Sequence, residues 1–290
     1  MSDEYRILWT ESEIEPRSEI VEGKDFDYVA PRTLAEAEQL KQSTKGYHYL
    51  AGGTMLNWKG SPCVKGLIDL KHLQLGKITG TNAEIRIGAM ATIQDIADCA
   101  ELPQTLRRSA KLFTSRNIRN MATIGGTATG NFFVSDVLPV LAAFQADIEY
   151  FQNGQTAILP LVTWIKSKPG LICAIILKHT RRIVLFRQEK IAQMDFPLIV
   201  TALGVELRDG KMSEPVIAIS GASGKLLVSE SGAAQLTGKS PSEVTFEELN
   251  AVVQQDVEPT GTVKATPRVK RRVIESHLKA ILAELQKEGV

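Results

Sequence analysis

The sequence predicts an α+β protein: a two-lobed N-terminal domain of mixed helix and strand, then an antiparallel sheet closed by helices. Three observations predict it. Two glycine pairs, Gly52-Gly53 and Gly125-Gly126, each follow an apolar stretch that reads as a strand and lie about seventy residues apart. Up to residue 165 short helical and strand patterns alternate, whereas beyond residue 170 four strand patterns precede a run of helices, the texture of a separate α+β domain. Between the two, Lys166-Ser167-Lys168-Pro169-Gly170 has a linker's composition. It divides the chain into an N-terminal arm over 1–24, a two-lobed domain over 25–168 and a C-terminal domain over 169–290.

The elements follow in order. The opening residues are polar and charge-rich without periodicity, which predicts an arm suited to packing on another subunit. Thr33 and Glu36 have capping-box spacing at the head of a helix whose buried stripe is Leu34, Ala37 and Leu40. Strands are predicted over 47–51 and 66–70, with a loop carrying Asn57, Trp58 and Pro62 between them. Residues 78–79 and 84–88 flank Thr81-Asn82 as a hairpin. Thr92 caps a helix, with Asp95 three residues on and Ile93, Ile96 and Ala97 on one face. A helix over about 103–113, a linker over 114–120 carrying Arg116 and Arg119, and a helix from Ser135-Asp136 to Phe144 come next. Asn153-Gly154, between strands 148–151 and 156–158, is a type I′ signal, because both residues tolerate positive φ. Residues 171–177, 182–187, 198–207 and 215–220 read as four antiparallel strands, with Asp209-Gly210 turning the last two. Helices are predicted from near Leu227, Thr245 and Pro267, the last carrying Ile274, Leu278, Ile281 and Leu285 on one face.

Composition narrows the function. At 290 residues, 43% hydrophobic and 23% charged, the chain has a globular composition. Its 34 basic and 33 acidic residues leave a net charge of +1, so no global field recruits nucleic acid or an anionic membrane. The longest apolar run, 137–144, falls far short of the roughly 18 residues that span a bilayer. Met1-Ser2-Asp3-Glu4 opens the chain without the apolar segment of a secretion signal, which predicts a cytoplasmic protein. Cys63, Cys99 and Cys173 show no Cys-x-x-Cys spacing, against a disulfide framework, a zinc site or a four-cysteine iron–sulfur cluster held by this chain alone. The four histidines have no metal-ligand spacing, and no metal site is expected.

No Gly-x-Gly-x-x-Gly opens a helix, so a Rossmann nicotinamide site has no fingerprint. Gly221-Ala222-Ser223-Gly224-Lys225 has the glycine content of a phosphate loop, but its spacing is short and Leu226 stands where a hydroxyl would hold magnesium. The glycine pairs are different. Turn amides unshielded by a Cβ form an anion-binding concavity, and Gly52-Gly53-Thr54 and Gly125-Gly126-Thr127 suggest two such cradles closing on one diphosphate, with threonine hydroxyls as added donors. Asp136 is placed to accept hydrogen bonds from a ribose or an adenine edge, or to serve as a helix-start carboxylate.

These residues carry a family resemblance. His48-Tyr49-Leu50-Ala51-Gly52-Gly53-Thr54-Met55-Leu56 resembles the "LLAGGTDL" loop, and Ile118-Arg119-Asn120-Met121-Ala122-Thr123-Ile124-Gly125-Gly126 resembles the "IRNxATIGGN" loop, of the FAD-binding subunits of molybdenum hydroxylases, the xanthine dehydrogenase and carbon monoxide dehydrogenase medium-subunit family. Arg86-Ile87-Gly88-Ala89, Ser135-Asp136 with Pro139, and Asp195-Phe196-Pro197-Leu198 match further family segments in the same order, so the likeness runs from about Asp25 to Leu285.

The resemblance implies a vanillyl-alcohol-oxidase-like FAD domain of two α/β lobes and a C-terminal domain like that of the carbon monoxide dehydrogenase flavoprotein. It implies that His48, Tyr49, Leu50, Ala51, Gly52, Gly53, Thr54 and Met55 in one loop, and Thr123, Ile124, Gly125, Gly126 and Thr127 in the other, wrap the FAD diphosphate. Phe113 stands where the family has an aromatic residue near the cofactor, Leu171 where it has an apolar contact, and Arg187 where a lysine approaches the flavin. The implied enzyme hydroxylates its substrate on a molybdopterin-binding large subunit, relays electrons through a 2Fe-2S small subunit, and collects them on FAD here for NAD or another acceptor; this chain carries no catalytic residue for the hydroxylation. Met55 replaces the common Asp, Thr127 the common Asn, and Phe132-Phe133 a Ser-Pro, with the phenylalanines expected to narrow the approach to the ring. Two other readings stay open on sequence: a stand-alone FAD oxidoreductase, and a flavin-free scaffold subunit of such a complex.

Overall fold

The computed structural model describes residues 27–56, 64–130, 134–179 and 181–288. The arm over 1–24, most of the loop around Trp58, and Phe132-Phe133 lie outside the described residues. Strand β1 (Asp27–Val29), helix α1 (Leu34–Ser43), strands β2 (Tyr47–Leu50) and β3 (Gly66–Asp69) build a small parallel sheet in the order β1-β3-β2. Thr33 caps α1, its hydroxyl accepting from the Glu36 N–H at 3.1 Å. The Glu36 carboxylate accepts from the Arg32 N–H at 2.9 Å, so only half of the expected capping box forms. Ala37, Tyr47, Ile68 and Leu70 bury this lobe's core, together with Leu171.

Strands β4 (Ile78–Gly80) and β5 (Glu84–Gly88) lead into helices α2 (Ile93–Asp98), α3 (Gln104–Lys111), α4 (Arg116–Arg119), α5 (Ile124–Thr129) and α6 (Leu138–Ala143). The Thr92–Asp95 capping box at α2 is complete. Strands β6 (Asp147–Gln152) and β7 (Gln155–Pro160), helix α7 (Leu161–Ser167) and strand β8 (Leu171–Lys178) follow, and the second sheet has the order β4-β5-β8-β6-β7. Asn153 and Gly154 turn β6 into β7 with φ of 52° and 77°, as a type I′ turn demands.

Strand β8 corrects the expected division of the chain. It pairs with β5 on one side and β6 on the other, so the break expected at residue 168 falls inside the N-terminal domain, between α7 and the middle strand of its sheet. Its apolar run, buried on both faces, reads as a strand in any sheet, and sequence order alone does not say which. The Lys166–Gly170 stretch is a helix end, with Lys168 at φ 48° and the Trp164 indole donating to the Pro169 carbonyl at 2.9 Å.

The last sheet contains β9 (Ile183–Glu189), β10 (Ile199–Arg208), β11 (Lys211–Ser220) and β12 (Leu227–Val228) in the order β12-β11-β10-β9. Its fourth strand is therefore Leu227–Val228, where a helix was expected to begin; helix α8 (Glu230–Leu236) starts only after Ser229, whose hydroxyl accepts from the Gly232 N–H. Helices α9 (Phe246–Asp256) and α10 (Pro267–Glu288) complete the chain. Both faces of this sheet are buried. Val184, Phe186, Val200, Ala202 and Ala218 join the core of the preceding domain, whereas Leu185, Ile199, Leu203, Ile217 and Ile219 pack with Leu249, Ile274, Leu278 and Ile281 of the helices. The two domains thus share one hydrophobic layer, built on α6.

Candidate functional site

The loop after β2 and the segment from Met121 to Gly130 meet face to face. A Cβ on Gly52 would lie 1.7 Å from the Met121 carbonyl oxygen, so the two segments touch through main chain alone at that point. Gly53 turns away from the contact at φ 69°, a torsion that residues with a Cβ resist. The backbone N–H groups of Gly52, Gly53 and Thr54 donate to no described residue. They form the free-amide cradle.

The second glycine pair is built otherwise than expected. Gly125 and Gly126 lie in the first turn of helix α5, entered from an isolated bridge between Thr92 and Thr123 rather than from a strand. Gly125 N–H donates to the Ala89 carbonyl at 2.9 Å, Gly126 N–H to the Thr123 hydroxyl at 3.1 Å, and Thr127 N–H to the Thr123 carbonyl at 2.9 Å. The Thr127 hydroxyl also donates to Thr123 O. These amides are committed, which corrects the expectation that both pairs present free donors. Glycine serves the second segment by close approach, since a Cβ on Gly125 would meet Ala89 at 2.8 Å.

Between the two segments lies a cavity of about 780 Å³, within the ~300–1,000 Å³ of cofactor sites. His48, Tyr49, Ala51, Gly52, Gly53, Thr54, Met55, Phe113, Thr123, Gly125, Gly126, Thr127, Asp136 and Leu171 line it. Three expected residues do not. Leu50 and Ile124 turn from the lining, Ile124 into the core. Arg187 also lies elsewhere: on β9 its neighbours Phe186 and Gln188 face the N-terminal domain, so the two-residue period points Arg187 toward α10, where it pairs with Glu284.

The wall is apolar with a few polar points. Asp136, 1% exposed, receives Gln188 Nε2 and, at 3.1 Å, Lys190 Nζ on its Oδ1, while its Oδ2 has no partner. Burial pushes its carboxyl up to about 6, against the opposing pull of Lys190 and then Gln188. Thr114, at φ 29°, likewise buries an unpartnered hydroxyl in the wall. Lys41 and His48 bring basic side chains to the same cavity, each with its pKa lowered by burial, and burial pushes Tyr49 up to about 12. Sequence reasoning passed over Lys41 and Thr114 in the lining, Gln188 and Lys190 on Asp136, and also Met194 and Phe196, which reach the lining from the C-terminal domain. Only Asp195-Phe196 lay inside a recognised family segment; the others have no local signal. The free amides, the glycine junction and the orphaned acceptor fit a dinucleotide with a diphosphate and several hydroxyl donors.

Comparison with known proteins gives the site its family. Residues 24–178 match the family described as the FAD binding domain in molybdopterin dehydrogenase, and residues 184–285 match the CO dehydrogenase flavoprotein C-terminal domain. The chain belongs to the FAD-binding subunits of the molybdenum hydroxylase family. As a flavin subunit it binds FAD and is an FAD-dependent oxidoreductase subunit. It is 30% identical to the uncharacterized protein YgfM of Escherichia coli (strain K12) over 203 residues, 69% of this chain and 76% of that one. It is 29% identical to the nicotinate dehydrogenase FAD-subunit of Eubacterium barkeri over 136 residues, 43% of this chain and 45% of that one. In fold, the flavin subunit superposes on a chain of the carbon monoxide dehydrogenase of Hydrogenophaga pseudoflava with a TM-score of 0.79 at 21% identity, covering 89% of this chain and 96% of the other. The matched families meet between residues 178 and 184, where β8 ends and β9 begins. No helix among the described residues is long and apolar enough to cross a membrane.

Proposed function

We propose that this chain is the electron-transfer subunit of a multi-subunit molybdopterin-dependent hydroxylase, working beside a molybdopterin-binding large subunit and a 2Fe-2S small subunit and serving NAD or another acceptor. The observation that carries this reading is the meeting of the two glycine segments on one cavity, with Gly52 against Met121 and a run of free amides beside it. FAD, when bound there, supplies a centre that exchanges electrons singly or in pairs.

The chain's own groups supply position and electrostatics. Gly52, Gly53 and Thr54 offer main-chain N–H donors to the diphosphate, and Gly125 and Gly126 let the opposite wall approach without a Cβ. Lys41 places positive potential at the same cavity, and His48, its pKa lowered by burial, brings a neutral imidazole beside it. Asp136 Oδ2 and Thr114 Oγ1 offer an acceptor and a hydroxyl to the sugar or ribityl hydroxyls. Phe113, Leu171, Met194 and Phe196 keep water from the ring system. The shared layer between the domains holds both walls in place during turnover.

The test has two parts. A tagged chain expressed with its neighbouring reading frames is expected to co-purify with a molybdopterin-containing and a 2Fe-2S-containing polypeptide; a chain that turns over a substrate alone favours a stand-alone oxidase. Anaerobic mixing of the flavin-loaded chain with NADH is expected to bleach the flavin band if NAD is the acceptor, and an unchanged band assigns the role to another acceptor.

A further inference from the structure

Lys190 directly follows β9, outside the N-terminal domain, yet its ammonium reaches back across the domain boundary. It lies 3.1 Å from Asp136 Oδ1 and donates to the Leu112 carbonyl at the end of α3; only 11% of its side chain is exposed. Gln188, two residues earlier on the same face of β9, donates to the same carboxylate oxygen. The other oxygen, Oδ2, is buried, unpartnered and part of a residue that lines the cavity. A buried acceptor left without a partner costs free energy unless a ligand or water satisfies it.

We propose that Lys190, aided by Gln188, is a positioning residue of the cofactor site: by binding one oxygen of Asp136 it keeps that carboxylate ionised and turns the other oxygen to a hydroxyl or N–H of the bound dinucleotide. The inference rests on the reading that this cavity holds FAD. Through it the C-terminal domain takes part in cofactor binding without being the main wall of the site. Lys190 is the charged group in contact with Asp136. The other neighbours are polar or neutral: Gln188 from β9, the Leu112 carbonyl from α3, and Ser220 of β11, which accepts from the Ser135 N–H. Asp195, in the loop after Lys190, is engaged by Lys264, and Lys41 and His48 line the same cavity. With Lys190 neutralised, the carboxyl loses its one contacting cation in an apolar wall and takes up a proton at higher pH. A protonated carboxyl is a weaker acceptor than a carboxylate.

The experiment is an FAD titration of the full-length chain, followed by flavin fluorescence from acid to alkaline pH, for wild type, Lys190→Met, Lys190→Arg and Gly52→Ala. In wild type the dissociation constant is expected to rise as pH falls through about 6. In Lys190→Met the rise is expected to begin at least one unit higher, weakening binding about twofold at pH 7 and approaching about tenfold by pH 5 while leaving the alkaline plateau where wild type has it; Lys190→Arg restores the profile. A uniform loss at every pH, or an unmoved profile, overturns the positioning role. Should Lys190→Met fail to fold by circular dichroism, Lys190→Gln carries the same comparison. If Gly52→Ala leaves FAD affinity unchanged, the cavity reading fails; if Gly52→Ala loses FAD while the Lys190 variants keep the wild-type profile, only the role of Lys190 fails.

Discussion

At the residue scale, two buried titratable side chains give the protein opposing responses to pH. Burial, and secondarily Arg187, pushes the His277 imidazole down to about 4, with its Nδ1 3.2 Å from the Thr201 hydroxyl. A depressed folded value means that the unfolded chain binds the proton first, so His277 contributes stability above its unfolded pKa and loses it as pH falls from about 6.5 to 4, on the order of 3 kcal/mol. Asp136 has the opposite sign. Its folded value of about 6 lies above the unfolded one, so its stability contribution is full below about 4 and is lost as pH rises through 6, again about 3 kcal/mol. Between those limits the slopes oppose, and single variants unmask them. Urea melts across this range are expected to show Asp136→Asn losing stability more steeply on acidification than wild type, and His277→Gln losing less. Parallel profiles for all three would contradict the assignment. Sequence offered Asp136 as a candidate because it lies eleven residues after Gly125 and in a family segment with Ser135 and Pro139, but nothing local marked His277: its environment is set by β10, remote in the chain.

At the scale of elements, what was legible was local and what was missed was pairing. The Asn153-Gly154 turn, the Thr92 cap and the apolar stripe of α10 all follow from neighbouring residues, and each appears as read. The assignment of β8 to a sheet, the short strand at Leu227 and the helical setting of Gly125-Gly126 depend on partners elsewhere: β5 and β6, β11, and the Ala89 and Ala91 carbonyls. Arg187 shows the same limit within one strand. A family position puts it near the flavin, while the alternation of β9 turns it to Glu284 and turns Gln188, with Lys190 just past the strand, to Asp136. Arg187→Met is therefore expected to leave bound flavin at the wild-type level while loosening α10, read as a lower melting temperature. Loss of flavin with an unchanged melt would return Arg187 to the site.

At the scale of the molecule, the shared layer is the organising feature. Leu141 of α6 is fully buried and belongs to the cluster that also holds Val184, Phe186 and Val200 of the C-terminal sheet. Leu141→Ala is expected to cost about 2–5 kcal/mol and to shift both domains together in one cooperative transition. Separate transitions by near-UV and far-UV circular dichroism would show that the domains fold independently. The same coupling explains how a loop from the C-terminal half, carrying Met194 and Phe196, lines a cavity otherwise built by the N-terminal half. The measurement closest to the central claim is the FAD content of purified Gly52→Ala beside Gly76→Ala. A Cβ at Gly52 collides with the Met121 carbonyl, whereas one at Gly76 meets nothing within 4 Å. Flavin is expected to be lost from Gly52→Ala and kept at the wild-type level in Gly76→Ala; full flavin in a folded Gly52→Ala chain would overturn the assignment of this cavity to FAD.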